Sequence, residues 1–143
     1  MLRRIDHVGI AVHDLDVAIA RYRISFGLQV VTVETNAEQG VREAMLALDD
    51  AAAAGLSASY VQLLEPLDAD TPVGRFLNRR GEGLHHVGYA VDDVVAALDS
   101  LAGHGIELID QRPRHGSLGA SIAFAHPRDL SGVLTELVEA ASG

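Results

Sequence analysis

The chain has no cysteine and no tryptophan. Without thiols, disulfides and thiolate-held metal centres are excluded, so a bound metal would need nitrogen and oxygen ligands. Aromatic side chains make up 4% of the 143 residues, which leaves the core to Val, Leu, Ile and Ala. Basic residues are also scarce. Eleven Arg and Lys face 20 Asp and Glu, for a formal net charge of −9. Such a field argues against nucleic acid or an anionic membrane as the main partner, and a polyanionic ligand would need a local basic patch to overcome it. No apolar run approaches the ~20 residues that cross a bilayer. The opening Met1-Leu2-Arg3-Arg4-Ile5-Asp6 carries no apolar stretch of signal type. A soluble cytoplasmic protein is expected. With 48% hydrophobic and 22% charged residues, the composition suits one globular domain and is too short for two.

What the chain does have is a stretch written twice. Ile5-Asp6-His7-Val8-Gly9-Ile10-Ala11-Val12 returns 79 residues later as Leu84-His85-His86-Val87-Gly88-Tyr89-Ala90-Val91. His7 matches His86, Gly9 matches Gly88, Ala11 matches Ala90, and Asp14 matches Asp93. A repeat of this period in so short a chain means two copies of one supersecondary unit. Side chains alternate along a strand, so each copy puts a histidine on one face with a Gly and an Ala. The small residues leave room beside the imidazole.

The order of elements is the same in both copies. A strand over 4–12 leads into a helix capped by Asp14 and closed by Gly27. Strands follow over 28–34, 42–48 and 59–65, with a hairpin loop at 49–58. Residues 66–83 form a linker in which Thr71 caps, Pro72 starts and Gly81 ends a short helix. In the second copy a strand over 84–91 precedes a helix from Asp93 to about His104, with Gly105 as its cap. Strands over 106–109, 120–126 and 132–138 complete it, with a loop at 112–119. The fold class is therefore α+β: one domain, 1–143, of two tandem βαβββ modules (about 4–65 and 84–139) forming a curved mixed sheet.

Gln62 lies on the last strand of the first copy and Glu136 on the last strand of the second, 74 residues apart. The longer hairpin loop of the first copy absorbs the difference from 79. If the copies pair about a pseudo-twofold, His7, Gln62, His86 and Glu136 converge from four strands. A single histidine on a strand is more often packed than a ligand. Two at corresponding places, each with a polar residue on the matching last strand, are a different matter. Two imidazoles and two oxygens without thiolate suit a divalent cation with open octahedral positions better than structural zinc. Glu136, set among Val133, Leu134, Leu137 and Val138, would be costly as an unpaired buried carboxylate. Glu43 raises the same question, because Met45 and Ala47 share its face. Arg75, Arg79 and Arg80 read as a solvated helix face before a phosphate site. His13, His85, His104, His115 and His126 have no repeat partners and are left as surface or supporting residues.

The two His-Val-Gly-x-Ala-Val copies with Gln62 and Glu136 resemble the vicinal oxygen chelate (glyoxalase) superfamily, and within it the methylmalonyl-CoA epimerases. The resemblance extends through Glu38-Gln39-Gly40-Val41-Arg42-Glu43-Ala44-Met45, Val61 to Pro66, Gly81 to His86, and His126-Pro127 with Gly132 to Leu137. It implies metal ligands at His7, Gln62, His86 and Glu136 around a divalent ion, cobalt first, with manganese, nickel, magnesium or zinc as alternatives. It implies catalytic carboxylates at Glu43 and Glu136, which interconvert the (R) and (S) forms of methylmalonyl-CoA by removing and returning the α-proton. It also implies an acyl-CoA substrate, a role in propionyl-CoA metabolism, and a homodimer that binds neither nucleic acid nor membrane. The loop Gly116 to Ser121 departs from the family pattern in lacking a basic residue near 120. Arg75, Arg79, Arg80, Arg112 and Arg114 are the candidates for meeting the CoA phosphates.

Three rivals share the fold. A ring-cleaving dioxygenase would use two His and one carboxylate on Fe(II), and Gln62 as a ligand and the short chain disfavour it. A glyoxalase would isomerise a hemithioacetal, but related bacterial glyoxalases usually carry Glu where this chain has Gln62, and they have no use for Glu43. A metal-free binding module would replace the ligands with apolar residues and line its cavity with aromatics, which are scarce here.

Overall fold

The computed structural model describes residues 1–50 and 59–142. Most of the predicted hairpin loop at 49–58 lies outside the described residues. The elements run β1 (Leu2–Ala11), α1 (Leu15–Phe26), β2 (Gln29–Asn36), β3 (Val41–Ala47), β4 (Tyr60–Pro66), α2 (Pro72–Arg80), β5 (Gly83–Val91), α3 (Val94–Gly103), β6 (Arg114–His115), β7 (Ser121–Ala125) and β8 (Thr135–Glu139). The strands make an eight-stranded mixed sheet in the order β2-β3-β4-β1-β5-β8-β7-β6. This is the α+β architecture read from the repeat.

Two compact units divide the chain. One is His7–His85, the other Met1–Asp6 with His86–Gly143. In the first, β1 pairs parallel with β4, with Gly9 opposite Gln62 and Ala11 opposite Leu64. β3 pairs antiparallel with β4, with Met45 opposite Gln62 and Glu43 opposite Leu64. Residues opposite one another share a face. One face carries Val12, Ala44, Leu46 and Leu63, packed under Leu15, Ala18, Ile19 and Tyr22 of α1. The other carries Ala11, Val41 and Leu64, packed under Val73, Phe76 and Leu77 of α2. His7, Gln62 and Glu43 belong to this second face by alternation.

In the other unit, β5 runs parallel to β8, with Gly88 opposite Glu136. β7 runs antiparallel to β8, with Phe124 opposite Glu136 and Ala123 opposite Leu137. Val91, Ala123 and Leu137 pack with Val94, Ala97 and Leu98 of α3. The opposite face holds Ala120, Ile122, Phe124 and Val138, and Glu136 stands on it.

The helices begin where the sequence says. The Asp14 side chain accepts from the Val17 N–H, and Gly27 takes φ +71° to end α1. Thr71 accepts from Gly74 N–H and Pro72 opens α2. Asp93 accepts from Ala96 N–H at α3. Gly105 follows α3 at φ +80°, but the cap itself is His104.

One predicted strand is not regular. Over 106–109 only a single bridge, Leu108 to Ala125, forms. The N–H groups of Ile109 and Asp110 both donate to Phe124 O, and Phe124 N–H donates instead to the Asp110 carboxylate at 2.9 Å. A side chain thus takes the place of the ladder's next carbonyl. In compensation, part of the predicted loop pairs as β6, with Arg114 opposite Ile122.

Candidate active site

His7, Glu43, Gln62, His86 and Glu136 are each no more than 5% exposed. Burying five polar side chains in a protein of this size needs a reason, since each costs free energy unless it is paired or holds something.

In the first unit, Gln62 Nε2 donates to Glu43 Oε2 at 3.1 Å. β3 and β4 create this contact, because their register sets Gln62 beside Met45 and Glu43 one pleat further along. The bond fixes which way the amide points: its nitrogen faces Glu43, and its oxygen Oε1 is the remaining atom able to act as a ligand. His7 stands on neighbouring β1, opposite Tyr60 and two residues before Gly9.

In the second unit, His86 Nε2 and Glu136 Oε2 are 3.5 Å apart. That is too long for a good hydrogen bond. It is near the separation of two ligands that share one cation at ~2.0–2.2 Å each. The His86 ring stands edge-on to Phe124, centroids 5.5 Å apart, which holds the imidazole plane. His7, His86 and Glu136 each offer one nitrogen or oxygen ligand atom and are buried. The donor types fit a divalent cation of intermediate hardness.

The other sequence candidates fall elsewhere. Arg75, Arg79 and Arg80 are exposed on α2, as expected of a solvated face, with Arg80 lying over the Phe76 ring at 5.6 Å. Arg112 is exposed and Arg114 is half-buried. His85 packs edge-on against Phe76 at 5.0 Å, and burial pushes its pKa down to about 4. It is therefore neutral at pH 7 and supplies no charge.

Sequence reasoning missed a pair of carboxylates that hold the strands in place. Glu65 accepts from Leu15 N–H at 2.7 Å, and Glu139 accepts from Val94 N–H at 2.9 Å. Each ties the end of a last strand to the first turn of its own repeat's helix. The signal was available: Glu65 and Glu139 are 74 residues apart, as are Gln62 and Glu136.

The sequence model of the glyoxalase/bleomycin resistance protein/dioxygenase superfamily matches residues 6–124. The chain belongs to that superfamily, in its methylmalonyl-CoA epimerase branch. It is 46% identical to a variant of the Streptomyces coelicolor methylmalonyl-CoA epimerase in complex with 2-nitronate-propionyl-CoA, with a TM-score of 0.93 and coverage of 99% of this chain and 100% of that one. Against the methylmalonyl-CoA epimerase of Mycobacterium tuberculosis the identity is 41% and the TM-score 0.91, covering 99% and 90%. The ethylmalonyl-CoA/methylmalonyl-CoA epimerase of Cereibacter sphaeroides is 34% identical, covering 96% of this chain and 98% of that protein. The branch inferred from the His-Val-Gly repeat is the one these relatives occupy.

Proposed function

We propose that this protein is a methylmalonyl-CoA epimerase that interconverts the two configurations at the substrate's α-carbon. The observation that carries the reading is the buried Glu43 carboxylate held by Gln62, in a chain 46% identical to an epimerase of that name. A buried carboxylate beside a polar cluster is the group a proton-abstracting enzyme needs.

In this reading His7, Gln62, His86 and Glu136 hold a divalent cation, cobalt first. The cation supplies positive charge that stabilises the negative charge developing when the α-proton leaves. Glu43 takes the proton from one face of the α-carbon, and the C–H electron pair passes into the thioester carbonyl. Glu136, starting protonated on the oxygen that would not hold the cation, gives that proton to the opposite face, and the pair of electrons re-forms the C–H bond with inverted configuration. In the reverse direction the two carboxylates exchange roles. The Gln62 N–H on Glu43 Oε2 orients the carboxylate that takes the proton. The enzyme is read as a cytoplasmic homodimer. Ile24 and Phe26, 85% and 70% exposed, give α1 apolar surface for a partner.

The test is solvent exchange. One epimer of methylmalonyl-CoA is incubated in D₂O with wild type and with Glu43→Gln, each supplied with divalent metal, and deuterium and configuration at the α-carbon are followed. Wild type is expected to exchange and racemise, and Glu43→Gln to lose racemisation. Absence of exchange in wild type with every divalent metal tried overturns the assignment.

A further inference from the structure

Phe124 is held through its main chain by one short segment. Its N–H donates to Asp110 Oδ2 at 2.9 Å. Its carbonyl accepts from Ile109 N–H at 2.9 Å and from Asp110 N–H at 3.2 Å. Both polar groups of its main chain therefore face residues 109–110 and turn away from β8. Phe124 and Glu136 lie opposite one another across β7 and β8. They are then the non-hydrogen-bonded kind of antiparallel pair, in which side chains stand closest. The Phe124 ring also meets the His86 imidazole almost at right angles, with an interplanar angle of 86° and centroids 5.5 Å apart. One phenyl ring thus stands beside both His86 and Glu136.

The acceptor for the Phe124 N–H is a carboxylate whose side chain is only 12% exposed. A main-chain carbonyl in its place would bring no charge into the fold. The charge is partly offset by Arg114, whose Nε forms an ion pair with Asp110 Oδ1 at 3.0 Å. The Arg114 guanidinium lies over the Phe124 ring, 5.8 Å from the centroid. Asp110 therefore acts on this residue twice, on the main chain with one oxygen and, through Arg114, on the ring with the other. Phe124, His86 and Glu136 are 6%, 3% and 4% exposed. In packing this close, a shift of the Phe124 main chain passes to its neighbours.

We propose that Asp110 is a positioning residue for the His86 imidazole: by holding the Phe124 N–H, it fixes the ring that sets the imidazole plane. Its consequence for metal binding rests on the reading of His86 as a ligand. Loss of the carboxylate leaves a buried N–H without an acceptor. The strand then shifts to find one, and the ring moves with it. The imidazole loses its preset plane, and a cation must order it on binding.

The experiment reads two signals in wild type, Asp110→Ala, Asp110→Asn and Phe124→Leu. One is the His86 imidazole carbon–proton NMR peak of the metal-free protein, assigned by its loss in His86→Ala. The other is the cobalt Kd from calorimetric titration. Phe124→Leu is expected to displace the His86 peak by removing the ring current, and to weaken cobalt binding. Asp110→Ala should displace the same peak and raise the cobalt Kd about tenfold, the lower end for a residue standing behind a ligand. Asp110→Asn keeps an oxygen for the Phe124 N–H and should hold both signals near wild type. Adding Asp110→Ala to Phe124→Leu should move the Kd no further, because the ring it acts through is gone. If Asp110→Ala lowers the melting temperature but leaves the His86 peak in place, the carboxylate only supports the strand and the proposal fails. It fails as well if Asp110→Asn behaves as Asp110→Ala, if the two losses add in the double variant, or if Phe124→Leu leaves the His86 peak in place. A wild type that binds no divalent ion overturns the ligand reading, while the His86 peak still decides whether Asp110 positions the imidazole.

Discussion

At the scale of single residues, Glu43 and Gln62 separate stability from activity. Glu43 is 2% exposed, and its carboxylate has the Gln62 amide for a partner. Replacing it with Gln keeps the size and an oxygen able to accept from Gln62, and removes the group that could ionise in a buried site, where a charge is expensive. Glu43→Gln should therefore melt no lower than wild type while losing roughly 10²–10⁴-fold in turnover. Scanning calorimetry beside a coupled epimerisation assay reads both quantities. A variant that loses both stability and activity would make Glu43 a structural residue. That Glu43 stands out at all is legible in the amino-acid sequence, because a carboxylate sharing a strand face with Met45 and Ala47 breaks the apolar pattern. Its partner is not legible there. Gln62 and Glu43 meet only through the register of β3 against β4, and sequence alone does not set that register when most of the intervening loop has no turn signature.

At the scale of elements, the helix starts were readable and the sheet edge was not. Asp14, Thr71-Pro72 and Asp93 act through hydrogen bonds within three residues, so local sequence contains them. Residues 106–109 look like a strand because their apolar content does, but the Asp110 carboxylate takes the hydrogen bond a regular ladder would have made. The strand-to-helix ties are long-range in the same sense. Removing one leaves the first N–H of a helix without its carboxylate and takes a negative charge from the positive end of the helix. Glu65→Met and Glu139→Met should each cost about 1–2 kcal/mol, read from urea midpoints at constant m. Losses within a few tenths of a kcal/mol for both would mean water replaces the carboxylates at no cost. Gly74 makes a sharper prediction against propensity. Alanine is favoured over glycine inside a helix by about 1 kcal/mol, yet a Cβ here would lie 2.3 Å from Asp68 O and 2.8 Å from the Ala69 backbone. Gly74→Ala should therefore lower the urea midpoint. A raised midpoint would show that the 68–69 turn yields easily.

At the scale of the whole molecule, the repeat is what made the fold legible. A constant offset between His7 and His86 names two copies of a strand, and the polar residues on the matching last strands name the proposed ligand set. That set draws on β1, β4, β5 and β8, so an ion held by all four would bind the native chain and have no comparable site in the unfolded one. Linkage then raises stability by RT ln(1 + [M]/Kd), about 2.7 kcal/mol when the metal is at 100 times its Kd. For a chain of this length that is roughly 5–10 °C in melting temperature. Wild type stripped with chelator and refilled separately with cobalt, manganese, nickel, magnesium or zinc should climb by that order with its preferred ion. His86→Ala should lose the response. The net charge of −9 attracts any cation weakly, so the climb must persist at high salt, where screening removes the diffuse part. A melting temperature that no ion moves, in a wild type that still epimerises its substrate, would show that the four buried side chains serve the reaction by hydrogen bonding alone.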